Sequence, residues 1–158
     1  MDIIPAEDMG TEKETEQIER LLLESGLRPS PARILVTKVL QKSIKPLSVQ
    51  EIEQILETLD RSSITRTLPR LLEAGLIHGF SDGSGSMKYE FCRSSHHQPA
   101  APHNDLHAHF RCHKCGETIC LTDVEIKMPR IPQGYRAENV SFIISGLCPG
   151  CDVGPGRD

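Results

Sequence analysis

The chain has 158 residues, enough for one large domain or two small ones. Aromatic side chains make up 4% of it and tryptophan is absent, so any hydrophobic core is mainly aliphatic. The formal net charge of −4 argues against a strongly basic nucleic-acid-binding protein. Residues 1–25, however, carry eight acidic and two basic side chains, whereas residues 26–91 carry nine basic and seven acidic. The middle segment therefore permits DNA binding without requiring it.

The sequence also argues against export and membrane insertion. No N-terminal apolar run resembles a signal peptide, and no stretch is long enough to span a membrane. Six cysteines and seven histidines without an export signal fit metal ligation in a reducing compartment better than disulfide bonds. We therefore expect a cytoplasmic protein with no membrane partner.

The hydrophobic periodicity predicts three short helices near the start of the chain. The first runs from about Glu14 and ends at Gly26. Ser30 is expected to cap the second helix, which opens with a proline. Ser48 is expected to open the third helix through a capping box with Glu51, three residues later.

A fourth helix, predicted over about residues 62–74, has two contrasting faces. Its apolar face consists of Ile64, Leu68, Leu71 and Leu72. The opposite face carries Ser62, Arg66, Pro69 and Arg70. Two arginines beside a small hydroxyl side chain are typical of a helix that reads the DNA major groove, although an ordinary solvated helix has the same appearance. Pro69, inside the helix, predicts a kink or a late helix start.

Two β-type runs follow at residues 76–80 and 87–92, joined by the flexible sequence Ser-Asp-Gly-Ser-Gly-Ser. The predicted order is three helices, a fourth helix with a basic face, and then a hairpin. This is the order of a winged helix-turn-helix. Residues 93–104 are rich in proline, alanine and histidine without periodicity, which predicts a hinge. Further strands are predicted at 106–111, 117–121 and 136–147.

These elements predict an α+β fold with two domains. A disordered acidic tail (1–12) precedes a winged-helix DNA-binding domain (13–92). After the hinge, a small α/β domain with a four-cysteine zinc site spans 105–158.

The cysteines form the strongest motif in the chain. Cys112 and Cys115 make one C-x-x-C pair, and Cys148 and Cys151 make a second pair after 32 intervening residues. Two such pairs commonly supply four thiolates to a structural zinc ion, because each pair folds as a tight turn around the metal. Redox dithiols or unrelated buried cysteines are the alternatives.

With the winged helix, the hinge and the motif H-x-H-x-x-C-x-x-C-G…C-x-x-C, the chain resembles the ferric uptake regulator superfamily, and most closely its zinc-sensing members. The resemblance covers about residues 14–151 and includes L-R-P-S-P-A-R-I-L-V-T-K-V-L and T-R-T-L-P-R-L-L-E-A-G-L-I-H. Members are bacterial metal-dependent transcriptional repressors. The resemblance implies a homodimer made through the C-terminal domain, bound to a palindromic double-stranded operator, with no small-molecule substrate.

The resemblance also implies roles for particular residues. The four C-x-x-C cysteines match the family's structural zinc site, one ion per protomer. Arg66 matches the arginine that reads the major groove, and Arg33 matches a basic position of the second helix. Ser62, Thr65 and Arg70 are further candidates for DNA contact. A regulatory metal site at the hinge would take its ligands from both domains, and the candidates are His78, Cys92, His107, His109 and Cys120.

Three departures from the family pattern qualify these roles. Ile64-Thr65-Arg66 stands where members carry Val-Tyr-Arg, so an aromatic contact to thymine methyl groups is missing. The early linker histidine of iron-sensing members is Pro46 or a neighbour here. A further site in the dimerisation domain lacks its ligands, since the corresponding residues are Leu106, Ala108, Lys127 and Val140. Two metal sites per protomer are therefore expected.

The donor types indicate which metal is sensed. Thiolate and imidazole favour zinc over iron or manganese, which prefer oxygen donors. Glu90 is near, but no carboxylate takes a clear ligand position in the pattern. A zinc-responsive repressor is thus the first choice, and an iron-responsive or peroxide-sensing regulator of the same family is the alternative.

Plainer interpretations of the individual candidates remain open. His78 could be a surface residue of the wing, whereas Cys92 and Cys120 could be small hydrophobic residues of the core. The remaining hinge histidines read as solvated residues, and they are His96, His97 and His103.

An enzyme is the alternative from a different class. A catalytic zinc needs an open coordination position and a general base, and no H-E-x-x-H motif is present. A thiol oxidoreductase would place one C-x-x-C at a helix start in a βαβ unit. Neither description fits, so the chain is predicted not to be an enzyme.

Overall fold

The computed structural model describes residues 12–93, 108–121, 124–137 and 140–152. Within these ranges the chain has the expected α+β fold, with helices followed by strands. The helices are α1 (Glu12–Glu24), α2 (Pro31–Lys42), α3 (Val49–Ile55) and α4 (Arg61–Glu73). The strands are β1 (Ile77–Ser81), β2 (Met87–Phe91), β3 (Ala108–Cys112), β4 (Thr118–Leu121) and β5 (Phe142–Gly146). The predicted tail (1–12) and hinge (93–104) lie almost wholly outside the described residues. None of the described helices is long and apolar enough to cross a membrane.

Local capping signals set the starts of the helices. The Ser30 side chain accepts a hydrogen bond from the backbone of α2, and Ser48 forms the predicted capping box with Glu51 at the start of α3. Asp60 caps α4, which begins at Arg61 and runs unbroken through Pro69. The predicted late start of this helix is therefore wrong. Pro69 lies on the solvent side, where water can hydrate the carbonyl group that has lost its helical partner.

Glycines end α1 and α4 and redirect the chain. Gly26 has a φ of 77° and Gly75 a φ of 70°, values that other residues adopt only at a cost. After α4, the Leu76 backbone N–H donates to the Leu71 carbonyl at 3.0 Å. Both leucine side chains are fully buried, so this turn anchors the start of the hairpin under the helices.

The four helices and one face of the β1–β2 hairpin enclose the hydrophobic core. β1 and β2 are antiparallel, with Ile77 opposite Phe91, and both of these side chains belong to the core. The segment before α3 adds a short bridge between Leu47 and Tyr89. All members of this cluster precede residue 92, so among the described residues the second sheet contributes nothing to it.

Leu72 departs from the predicted apolar face of α4. Ile64, Leu68 and Leu71 are fully buried as expected, but Leu72 is 36% exposed. One residue corresponds to about 100° around a helix, which turns Leu72 away from the core that Leu71 fills. Thr67 is buried instead.

A second sheet has the strand order β4-β3-β5. β3 pairs antiparallel with β4 and parallel with β5. Of the strand predicted over 136–147, the structure has Phe142–Gly146, which pairs with β3 along its whole length. The register gives this sheet a polar face and an apolar face. The face with the polar side chains carries His109, Arg111, Thr118, Cys120 and Ser145, with Ile143 as its one large apolar residue among those paired. The apolar face carries Phe110, Ile119, Leu121, Phe142 and Ile144.

The polar face of the second sheet packs against the hairpin. Alternate residues of β1 and β2 point away from the helical core, among them His78, Phe80 and Glu90. The Phe80 ring stacks on the His109 ring, with centroids 3.8 Å apart and an interplanar angle of 23°. The hairpin therefore forms a middle layer between the helices and the second sheet.

Candidate metal centres

The first candidate centre is built from the two C-x-x-C turns. Cys112 ends β3, and Cys148 follows shortly after β5. Because β3 and β5 run parallel, with Cys112 opposite Gly146, their carboxyl ends bring the two turns together. The four sulfur atoms of Cys112, Cys115, Cys148 and Cys151 all lie within 4.8 Å of one another.

The spacing and chemistry of these sulfurs fit a tetrahedral zinc site. Zinc–sulfur bonds of about 2.3 Å give a tetrahedron with edges of about 3.8 Å. The Sγ atoms of Cys115 and Cys148 are 3.9 Å apart. Hydrogen bonds from the backbone N–H groups of Cys115 and Cys148 lower the pKa of the Cys112 thiol to about 6. A hydrogen bond with the Cys148 side chain raises the pKa of Cys151 to about 12. A bound dication would remove the need for the sulfurs to share protons.

The second candidate centre lies between the hairpin and the second sheet. Glu90 of β2, His109 of β3 and Cys120 of β4 present ligand atoms within 4.8 Å of one another. His109 and Cys120 are opposite each other in the β3–β4 register, and both face the hairpin. The His109 Nε2 atom lies 2.9 Å from the Glu90 Oε2 atom. Burial, and then the neighbouring Glu90 carboxylate, raise the pKa of the Cys120 thiol to about 12.

The other predicted regulatory ligands that the structure describes, His78 and Cys92, are not part of this trio. His78 is directly opposite Glu90 across the hairpin, at a separation where side chains on one face interact. Cys92 follows Glu90 by two residues, is fully buried, and donates its backbone N–H to the Leu76 carbonyl at 2.9 Å. His107 lies outside the described residues. A carboxylate, an imidazole and a thiol within 4.8 Å of one another are a donor set that suits a transition metal.

Glu90 is the site residue that the sequence reasoning left out of its ligand set. The strand period of two puts Glu90 and Cys92 on the same face of β2, opposite His78, and this alternation was the available signal. The half-buried side chain of Glu90 then points toward the second sheet. Which face the second sheet covers cannot be read from the local pattern.

Four of the five predicted DNA-contacting side chains are grouped on α4. Ser62, Thr65, Arg66 and Arg70 are all exposed. Arg70 forms an ion pair with Glu73 at 3.2 Å, whereas Arg66 has no acidic partner among the described residues and donates to the Ser62 carbonyl at 3.2 Å. Arg33 lies on α2 and is half-buried, and its Nη1 donates to the Arg28 carbonyl at 2.6 Å. Arg66 is thus the α4 cation best placed to meet an anionic partner.

Comparison with known proteins agrees with this combination of a winged helix and a thiolate cluster. The ferric uptake regulator family model matches residues 24–143. The ferric uptake regulation protein of Campylobacter jejuni is 26% identical over 147 residues, which is 87% of each chain. The Vibrio cholerae ferric uptake regulator structure has a TM-score of 0.58 at 19% identity, covering 82% of this chain and 98% of that one. A zinc uptake regulator in complex with zinc and DNA has a TM-score of 0.57 at 19% identity, covering 89% and 95%.

The fold and the cysteine cluster define the class of protein: a winged helix-turn-helix protein with a four-cysteine cluster that could hold a metal ion. The family model covers well over half of the chain, so the chain belongs to the ferric uptake regulator family. It is accordingly a metal-dependent transcriptional regulator and not an enzyme. The structural neighbours, all at low identity, show that the fold is shared.

Replacing one sulfur of the first centre tests its structural role. Cys148→Ser should lose one tightly held zinc ion per chain and unfold at a lower temperature, because metal binding at such a site is coupled to folding. Cys120→Ser is the matched control, since it changes a thiol of the second centre and should keep the tightly held zinc. Zinc content after mild chelation and the thermal midpoint are the measurements. A Cys148→Ser protein with unchanged zinc and stability contradicts the assignment.

Proposed function

We propose that the chain is a repressor that binds double-stranded operator DNA as a homodimer and responds to metal, with zinc as the first choice. The observation that supports the proposal is the origin of the ligands in the second centre. Glu90 belongs to the hairpin of the winged-helix domain (13–92), whereas His109 and Cys120 belong to the C-terminal domain (105–158). An ion held by all three would fix the orientation of α4 relative to the second sheet.

The donor set of the second centre is compatible with zinc on the one hand and with iron or manganese on the other. The Cys120 thiol and the His109 imidazole favour zinc, whereas the Glu90 carboxylate adds an oxygen donor that iron and manganese prefer. This carboxylate is the specific observation in favour of the iron- or manganese-responsive alternative. One structural neighbour is a zinc-bound manganese uptake regulator, with a TM-score of 0.56 at 20% identity. A protein of similar fold that is named for manganese can therefore hold zinc.

Metal bound at this centre would act on DNA binding through geometry. A dimer on a palindromic operator needs its two α4 helices at one fixed spacing. Clamping each winged helix to its C-terminal domain selects that spacing from a wider range of orientations. Coupling between two such sites is typically about 1–3 kcal/mol, which corresponds to one or two decades in operator affinity.

Substitutions in the second centre test the sensor. His109→Ala and Glu90→Gln should each lose one metal ion per protomer, keep the four-cysteine zinc, and bind operator equally with and without added metal. The readouts are metal content and operator affinity, with Ser145→Ala on the same sheet as the control. Two retained metals and full metal dependence in both variants would sink the sensor proposal.

Cys92→Ser separates two of the candidate hairpin ligands, Cys92 and Glu90. The resemblance makes Cys92 a ligand, so its substitution is expected to remove the same metal. If Cys92→Ser keeps that metal while Glu90→Gln loses it, the hairpin ligand is the carboxylate. That result would favour the iron or manganese alternative over zinc.

Arg66→Ala tests α4 as the DNA-reading helix. An arginine forked onto guanine contributes about 1–3 kcal/mol of discrimination per contact, and each half-site would lose its own. We expect sequence-specific binding to be lost, with metal content and dimer unchanged. Arg70→Ala, whose parent side chain is already paired with Glu73, should act more weakly and uniformly across sequences. Operator affinity across a salt series distinguishes them, and parent-like binding by Arg66→Ala contradicts this role.

The apolar face of the second sheet supports the homodimer. Five large apolar side chains share this face, and Ile119 and Ile144 at its surface are among the exposed large hydrophobics. The sheet contributes no residue to the hydrophobic cluster, so none of the residues in that cluster covers its apolar side in the described part of the chain. A second copy of the same sheet would cover it. The side chains of Phe110, Leu121 and Phe142 are the remaining, half-buried part of the patch.

Charge insertion tests this dimer surface. Ile144 is 47% exposed, and Ile144→Glu should convert the dimer to a monomer by placing two carboxylates at an apolar contact. Ile44 is 92% exposed in the helical unit, so Ile44→Glu is the control that should leave the dimer intact. Sedimentation at micromolar concentration measures both. A dimeric Ile144→Glu protein would contradict this surface.

A further inference from the structure

The hairpin and the second sheet share a contact that contains no candidate metal ligand. It lies at Asp82, the first residue of the loop after β1. The Thr118 hydroxyl of β4 donates to Asp82 Oδ2 at 2.8 Å, and the Ser84 backbone N–H donates to Asp82 Oδ1 at 2.9 Å. The Arg111 Nε atom of β3 lies 4.0 Å from Asp82 Oδ2.

Burial distinguishes this contact from the exposed ion pairs on the described helices, such as Arg61 with Glu53 and Arg70 with Glu73. Asp82 is 3% exposed and its side chain is completely covered, and Thr118 is also buried. A buried carboxylate is costly unless hydrogen bonds and opposite charge compensate for its lost hydration. Two of its partners, Thr118 and Arg111, belong to the second sheet. Separating the two units would therefore break the compensation and return Asp82 to water.

The contact is in register with the second metal centre. Arg111 is opposite Thr118 in the β3–β4 ladder, and His109 is opposite Cys120 one step along, on the same face. Two residues of a strand span about 6.8 Å, so both contacts hold the same face of the sheet against the same hairpin. The metal ligands are at one position along the ladder and Asp82 is at the next.

We propose that Asp82 is a positioning residue that holds the hairpin against the second sheet through Thr118 and Arg111 without metal, and so sets how much metal the sensor requires. This inference rests on the proposed metal-responsive function. Some ligand sites form only when two units are docked. The apparent dissociation constant for metal at such a site is the intrinsic constant divided by the docked fraction, so a smaller docked fraction means weaker binding. Asp82 raises that fraction before any ion binds.

Three neighbouring features fit this role. The loop after Asp82 packs against Arg111, since a Cβ atom built on Gly83 would lie 3.6 Å from the Arg111 Nη1 atom. Gly83 itself has a φ of 82°, which suits a glycine at this turn. Lys88, on the same hairpin, adds its positive charge to the Asp82 carboxylate and is anchored to Glu51 of α3 at 2.7 Å. The contact thus connects the second sheet to the helix-turn-helix.

The test compares Thr118→Val and Asp82→Ala with the unsubstituted dimer. Thr118→Val keeps the side-chain shape and removes only the hydrogen bond. The measured quantity is the free metal concentration at half-maximal operator binding, with zinc as the added metal. We expect this midpoint to rise about tenfold in each variant, with unchanged metal content and operator affinity at saturation. The double variant should shift no more than Asp82→Ala alone, because both remove the same contact.

Glu117→Gln is the matched control. Glu117 pairs with Lys45 at 3.9 Å, also between the two units, but both side chains are about half exposed. An exposed pair of this kind contributes little, so its midpoint should stay at that of the parent. Midpoints unchanged in Thr118→Val and Asp82→Ala overturn the inference. Reduced metal content at saturation also overturns it, because the contact would then be supporting the ligands directly.

Small-angle scattering tests the role of Asp82 independently of the proposed function, because it measures docking without DNA. If the unsubstituted protein binds operator equally with and without metal, the proposed function fails and no midpoint exists. The radius of gyration of the protein stripped of its regulatory metal still reports docking. We expect it to increase in Thr118→Val and Asp82→Ala and to stay constant in Glu117→Gln. Equal radii in all of them would refute the role of Asp82 independently of DNA.

Discussion

The second sheet depends on the four-sulfur cluster at the ends of β3 and β5. Its three short strands contribute no residue to the hydrophobic cluster that the described helices and hairpin form. The buried side chains of its strands are Ala108, Cys112, His109 and Thr118, and the larger apolar side chains are on the outer face. Three strands need a hydrophobic face packed on something else for stability. A metal held by Cys112, Cys115, Cys148 and Cys151 would supply part of that missing cohesion, and a partner over the apolar face would supply the rest.

The β1–β2 hairpin couples the two units because both of its faces are used. Ile77 and Phe91 point into the helical core, which fixes the hairpin relative to α4. His78, Phe80 and Glu90 point the other way, toward the second sheet. A change in how that sheet docks is therefore transmitted through a rigid layer to the helix carrying Arg66. Ligands at the tip of a loop could not transmit the change in this way.

The two contacts between hairpin and sheet differ in what they require. Glu90, His109 and Cys120 converge as a group that favours docking most when a cation balances the carboxylate and displaces the thiol proton. Asp82 needs only the hydroxyl and guanidinium groups opposite it. In the proposed sensor, docking is incomplete without metal and complete with it. A fixed contact beside a metal-dependent one would then set the metal concentration at which docking completes. The donors of Glu90, His109 and Cys120 are an oxygen, a nitrogen and a sulfur, a mixture that suits more than one metal.

The sequence by itself determined everything whose cause is local or whose motif is self-contained. The Ser30 cap, the capping box of Ser48 and the glycine after α1 act within a few residues, and the structure has each of them. The paired C-x-x-C motifs specified a cluster because each turn already presents two sulfurs. Strand alternation determined the hairpin and the strands β3 and β4 to within a few residues.

The tertiary structure decided what depends on which surfaces meet. Leu72 could not be separated from Leu71 by periodicity, since only the packed core shows where the buried sector of α4 ends. The strand β5 is shorter than its apolar run predicts, and its parallel pairing with β3 joins residues more than 30 positions apart in the chain. Glu90 became a candidate ligand, and Asp82 a buried contact, only because the second sheet covers the outer face of the hairpin. Such contacts join residues 19 to 36 positions apart, and no local pattern encodes which of them will touch.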